Sequence, residues 1–89
     1  MEIYSLPSDE YELCQPVEVM LKIYPDEVLA LIPELELYGE GATEFEAVND
    51  LKIEIIDLVR ELEEISDEEL GTDPKMWKKT LATLVKKCR

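Results

Sequence analysis

Eighty-nine residues with 46% hydrophobic content are enough for one small folded domain, and they exclude both wholesale disorder and a large core. Twenty-two acids against nine bases give a formal charge of −13. That balance opposes binding to free nucleic acid, whose phosphates would be repelled, and favours attraction of a basic protein.

The charge is unevenly spread. All 22 acids fall at or before Asp73, where only Lys22, Lys52 and Arg60 offset them, a formal −19 over residues 1–73. Residues 75–89 carry Lys75, Lys78, Lys79, Lys86, Lys87 and Arg89, a formal +6. This basic segment is expected to lie against the acidic body or against a neighbour's. The opening Met1-Glu2-Ile3-Tyr4-Ser5 lacks the basic and apolar regions of a signal peptide. No run approaches the roughly 20 apolar residues that span a bilayer. A cytoplasmic protein with reduced thiols and no membrane segment is therefore expected.

In chain order, residues 2 to 6 read as a short strand ended by Pro7-Ser8-Asp9, with Tyr11 to Cys14 extended and pairing with it. Val17 to Tyr24 alternates: Val17, Val19, Leu21 and Ile23 point one way, and Glu18, Met20, Lys22 and Tyr24 the other, the pattern of a half-buried strand. Pro25-Asp26 supplies a turn. Glu27 to Ile32 is an apolar run suited to a central strand, and Pro33 marks an edge, a bulge or a strand end. Leu35 to Tyr38 reads as a third main strand. The short connections imply antiparallel order.

Gly39 and Gly41 offer backbone angles that other residues resist. Thr43 then reads as a helix N-cap, its hydroxyl accepting from the N–H of Glu46 while the Glu46 carboxylate reaches back to the N–H of Thr43. Glu44 and Glu46 also suit the positive end of the helix dipole. Val48, Leu51, Ile55, Leu58, Leu62 and Ile65 form one helical stripe, widened by Phe45 and Val59. A coiled-coil seam would show the same stripe, but its length favours a helix covering a sheet. Ile53 and Ile56 lie off the stripe, so a second side is expected to be covered by the C-terminal helix or by another subunit. Ser66-Asp67-Glu68-Glu69 repeats the capping pattern and predicts one more helical turn, ended by Gly71. Thr72 or Asp73 then caps a last helix over about residues 74–88, with Pro74 at its first position. Trp77, Leu81, Leu84, Val85 and Cys88 form its apolar stripe, and lysines in its last turn suit the negative end of the dipole.

These elements predict one α+β domain over residues 1–89, a small antiparallel sheet of about three main strands covered by a long helix, plus a C-terminal helix. No catalytic constellation stands out. The chain has no histidine for a triad, and its two cysteines, Cys14 and Cys88, lie too far apart for zinc-ligand spacing. Adjacent acids such as Glu63-Glu64 and Glu68-Glu69 point to different sides of a helix. Asp67 to Asp73 lacks the residue order of a calcium loop. Gly39-Glu40-Gly41 is acidic where a phosphate loop would need to attract phosphate. No enzyme activity, metal or cofactor is expected. Ile53, Ile56 and the Trp77 stripe offer more apolar surface than one sheet face covers. They serve as core anchors or hold a homodimer, which a sheet edge could also hold.

Ile32-Pro33-Glu34-Leu35, a short strand, then Gly41-Ala42-Thr43-Glu44-Phe45-Glu46-Ala47-Val48 resembles the HicB-like antitoxin domain over about residues 17 to 65. That family shows an apolar residue, Pro-Asp/Glu-Leu, a short strand, then Gly-x-Thr-x-x-Glu-Ala and a long helix. The resemblance implies a partial ribonuclease-H-like fold and makes Gly41, Thr43, Glu46 and Ala47 the helix-entry motif. It also implies a non-enzymatic partner protein that neutralises a small basic ribonuclease toxin. Glu34, Glu36, Tyr38 and Glu40, on the segment leading into the long helix and short of basic neighbours, are the candidate contacts. No helix-turn-helix or ribbon-helix-helix pattern is read after the domain, so no direct nucleic-acid contact is expected. The alternative is a self-associating small domain of unknown role with no toxin partner.

Overall fold

A computed structural model of the chain describes residues 1–69 and 71–88, the side chain of Asp67 excepted. In chain order its strands are β1 (Glu2–Ile3), β2 (Tyr11–Leu13), β3 (Val17–Glu18), β4 (Met20–Ile23), β5 (Val28–Ile32) and β6 (Leu37–Gly41). Helix α1 (Glu44–Glu64), helix α2 (Thr72–Leu84) and β7 (Val85–Lys87) follow. Short 3-10 turns occupy Pro33–Leu35 and Asp67–Glu69. The architecture is α+β, with antiparallel sheets of two or three strands, a long helix and a C-terminal helix.

The apolar run before Pro33 becomes β5, the central strand of the main sheet, flanked antiparallel by β4 and β6. Val28, Ala30 and Ile32 alternate to one face and are buried there against α1, whose Ala47, Val48, Leu51, Ile55, Ile56, Val59 and Leu62 are also buried. Leu51 and Ala30 are fully inaccessible at the centre of this layer. Leu58 packs half-buried against the same core, but Phe45 stands 81% exposed and does not widen the stripe. It falls in the first turn of α1, where the helix has only begun to cross the sheet.

The strand expected over residues 17–24 changes partner midway. Val17 and Glu18 pair with β1, and Met20 onward pairs with β5. Val19 sits between the two ladders, exchanging backbone hydrogen bonds with Met1 at 2.6 and 3.1 Å. Two further boundaries move. Pro33 ends β5 and begins a 3-10 turn, so Leu35 turns into the core and the third strand starts only at Leu37. Tyr11–Leu13 pairs with β7 rather than with the N-terminal strand, and β1 pairs with β3 instead.

Glycine acts by size at the helix entry. None of the three glycines has positive φ, so the special backbone angles expected of Gly39 and Gly41 are not used. A Cβ on Gly39 would meet the backbone of Ala47 and Leu51, and one on Gly41 would meet the Cβ of Glu46. The missing side chains let α1 lie directly on β6. Thr43 is the N-cap, its Oγ1 accepting from the Glu46 N–H at 3.2 Å. The Glu46 carboxylate folds back over Gly41 and accepts from the Ala42 N–H at 2.9 Å, one residue earlier than a capping box would place it.

The C-terminal segment differs most from expectation. α2 is capped by Gly71 without a side-chain hydrogen bond, so neither Thr72 nor Asp73 is the cap, and Pro74 is the third helical residue. Its missing N–H still falls within the first turn, where no helical partner exists. The helix stops at Leu84, and Val85–Lys87 become β7, recruited by the open edge of β2. Lys86 therefore meets an acid across the ladder, and Lys87 one on α1, instead of a helix dipole. Lys86 Nζ lies 2.7 Å from a Glu12 carboxylate oxygen, and Lys87 Nζ lies 3.9 Å from Glu63. The basic segment rests on the acidic body at these points. The Lys86 ammonium hydrogen-bonds to Glu12 and holds its carboxyl below the usual range, while Glu12 raises Lys86 in return.

Candidate functional site

The helix-entry motif is placed as one structural unit. Gly41 closes β6, Thr43 caps α1, Glu46 braces the cap, and Ala47 is fully buried at the Gly39 contact. Its polar groups are turned to the backbone: Thr43 takes the Glu46 N–H in the first helical turn, and Glu46 takes the Ala42 N–H just before the cap.

The candidate contact residues are distributed over three local structures. Glu34 lies in the 3-10 turn and is exposed. Glu36 ends that turn in the left-handed region, with φ 53 and ψ 34, its N–H donating to the Pro33 carbonyl at 3.1 Å. It is the only non-glycine residue described with positive φ, a conformation that crowds its Cβ against the following carbonyl. Tyr38 (59% exposed) and Glu40 belong to β6, on the face turned away from α1.

Glu36, Tyr38 and Glu40 converge with Leu37, Asp50 and Glu54 on a recess of about 230 Å³ at the outer edge of β6; Glu34 does not reach it. Asp50 and Glu54 come from α1. They are four residues apart and so share a helix face, which lies along the acidic strand. That spacing was the available sequence signal for their membership. Asp50 also accepts from the Glu40 N–H at 3.0 Å, so its carboxylate blunts the edge of β6. Among the described residues none of Glu36, Glu40, Asp50 and Glu54 is ion-paired with a base. The recess therefore carries concentrated negative charge. Among the described residues no group of three or more His, Cys, Asp or Glu side chains has an arrangement that could hold a metal ion.

The remaining anchors divide between interior and surface. Ile56 is buried within the chain, Trp77 packs half-buried against the core, and Ile53 is 43% exposed. Ile53 and Ile56 border a shallow recess with Pro7 to Glu10, so the loop after β1 lies beside the second side of α1.

A larger cleft of about 360 Å³ lies between α1, α2 and β7, with Val59, Leu62, Leu81 and Val85 among its lining. Its charged groups are already engaged. Glu63 accepts from the Tyr11 hydroxyl at 2.8 Å and faces Lys87, Lys86 holds Glu12, and Lys78 reaches the Ile65 carbonyl at 3.5 Å. Donating to Glu63 stabilises the protonated phenol, and with burial this raises Tyr11 above its ordinary value. Cys14 and Cys88 are both exposed, at opposite ends of the β2–β7 ladder. No helix among the described residues is long and apolar enough to cross a membrane.

No family model, no curated protein and no solved structure matches this chain.

Proposed function

We propose that this chain is a non-enzymatic, cytoplasmic interaction domain that binds a small basic protein, an antitoxin-like role in which a ribonuclease partner is blocked sterically and electrostatically. The observation that carries the reading is the recess at the edge of β6, where Glu36, Glu40, Asp50 and Glu54 gather around Tyr38 without a paired base. Unpaired acids on an exposed surface attract a cationic partner at long range. Tyr38 adds an amphipathic ring of the kind that anchors interfaces. Glu36 supports the reading because it holds a backbone conformation that would favour glycine. The resemblance to the HicB-like domain around the helix entry points the same way.

The test is co-expression with the basic product of an adjacent reading frame, scoring complex formation and rescue of growth. Glu36→Lys combined with Glu54→Lys is expected to abolish the complex while leaving the melting temperature close to wild type. Association is expected to slow steeply as salt rises, because exposed opposite charges are screened. Absence of binding to any such product would leave the second reading, a self-associating domain without a toxin partner. The uncovered face of the main sheet favours that reading.

A further inference from the structure

The face of the main sheet turned away from α1 is organised in two cross-strand rows. The register sets Met20 opposite Leu31 and Leu31 opposite Tyr38; the next row is Lys22, Leu29 and Glu40. Residues directly opposite share a face. Val28, Ala30 and Ile32 are buried on the α1 side, so the alternating Leu29 and Leu31 and their row-mates project to the other. Met20 is 52% exposed, and Leu29 and Leu31 are half-buried outside the core cluster. Lys22 makes no ion pair among the described residues. Its row-mate Glu40 lies two strand spacings away, roughly 10 Å, with Leu29 between them, and the two are not ion-paired.

We infer that this face packs on the same face of a second copy of the chain, about a two-fold axis parallel to β5. Such an axis exchanges the two flanking strands and keeps position along them. Lys22 then lies over Glu40 of the second copy and Glu40 over its Lys22. Leu29 meets Leu29, Leu31 meets Leu31, and Met20 meets Tyr38. Within these two rows each charge finds its opposite and each apolar group another, the self-complementarity that an isologous contact requires. A two-fold axis running across the strands would place Lys22 over Met20 and Glu40 over Tyr38, with no charge matched. Beyond the Met20–Tyr38 end the axis parallel to β5 brings Glu18 near Glu36 of the second copy, a like-charge contact at the exposed rim that weakens the pairing. Stacked sheets pack at about 10 Å separation with strand directions within roughly 30° of each other, a range that includes this parallel arrangement. Six side chains a copy fall well below the roughly 20–30 residues of a standard interface, so the dimer is weak and depends on concentration.

The pairing shares Tyr38 and Glu40 with the surface proposed for a basic partner, so one copy cannot serve both at once. It does not rest on that reading. Lys22 lies outside the acidic recess, and the test uses the protein alone.

Sedimentation equilibrium from micromolar to millimolar concentration is expected to show a monomer–dimer equilibrium. K22E and E40K, each at an exposed position, should each weaken it about tenfold, the loss of two symmetry-related exposed pairs. An equimolar mixture of the two variants should associate as the wild type does, because one is acidic at both positions and the other basic at both. In the wild type, NMR signals of the Met20 methyl and the Tyr38 ring should shift with concentration. A monomer at every concentration, a dimer indifferent to K22E and E40K, a mixture that stays dissociated, or shifts confined to another surface would each overturn the inference.

Discussion

Gly39 lies directly beneath Leu51, so that a Cβ on the glycine would come within 2.8 Å of the leucine Cα and closer still to its backbone nitrogen. The obstacle is helix backbone, which cannot rotate aside as a flexible side chain would. Gly39→Ala is therefore expected to cost about 1–3 kcal/mol, the usual range for overpacking, read as a lower midpoint in urea unfolding. An unchanged midpoint would show that α1 does not sit on β6 at this distance.

Thr43→Ala removes the acceptor for the Glu46 N–H. The expected loss is about 0.5–2 kcal/mol. Amide exchange should localise it to the first turn of α1, leaving the β4–β5 ladder protected. Loss of protection throughout the sheet instead would mean that the cap does more than start the helix.

Glu36→Gly relieves the left-handed backbone at φ 53. The stability gain is expected to be about 1 kcal/mol, measured as a rise in thermal midpoint. The same variant should bind a basic partner less well, because one acid has left the recess. A gain in stability with no change in binding would remove Glu36 from the interaction surface.

Tyr11→Phe keeps the buried ring but deletes the hydroxyl that donates to Glu63. Because the folded phenol titrates above its ordinary value, its contribution is complete below about pH 10 and is lost as pH rises through the folded value. Wild type should thus lose stability on alkaline titration through this group, and Tyr11→Phe should lack that component. Urea midpoints for both proteins across the alkaline range supply the comparison, and parallel curves would contradict the assignment.

Local chemistry made the centre of the fold legible. The apolar run of Glu27 to Ile32, the stripe of α1 and the Thr43 cap depend on residues close in sequence, and each forms close to where expected. The errors arise where partners are remote. Nothing in Tyr11 to Leu13 says that its strand partner is Val85 to Lys87, and nothing in Leu84-Val85 distinguishes a continuing helix from a strand recruited by a distant edge. The acidic recess was half legible. Glu36, Tyr38 and Glu40 stand together in sequence, but Asp50 and Glu54 join them only because Gly39 lets α1 approach β6 so closely.

The β2–β7 ladder sets an order on synthesis. Tyr11 cannot meet Lys87 until 76 further residues have left the ribosome, whereas the β4–β5–β6 sheet and α1 are complete at Glu64. The nascent protein can close its main layer early while Tyr11, Glu12 and Leu13 wait without a strand partner. Pairings this distant are late and slow, because a long loop must close before any contact rewards it. In that interval the exposed edge of β2 is where a chaperone or a second nascent chain would most readily engage this protein.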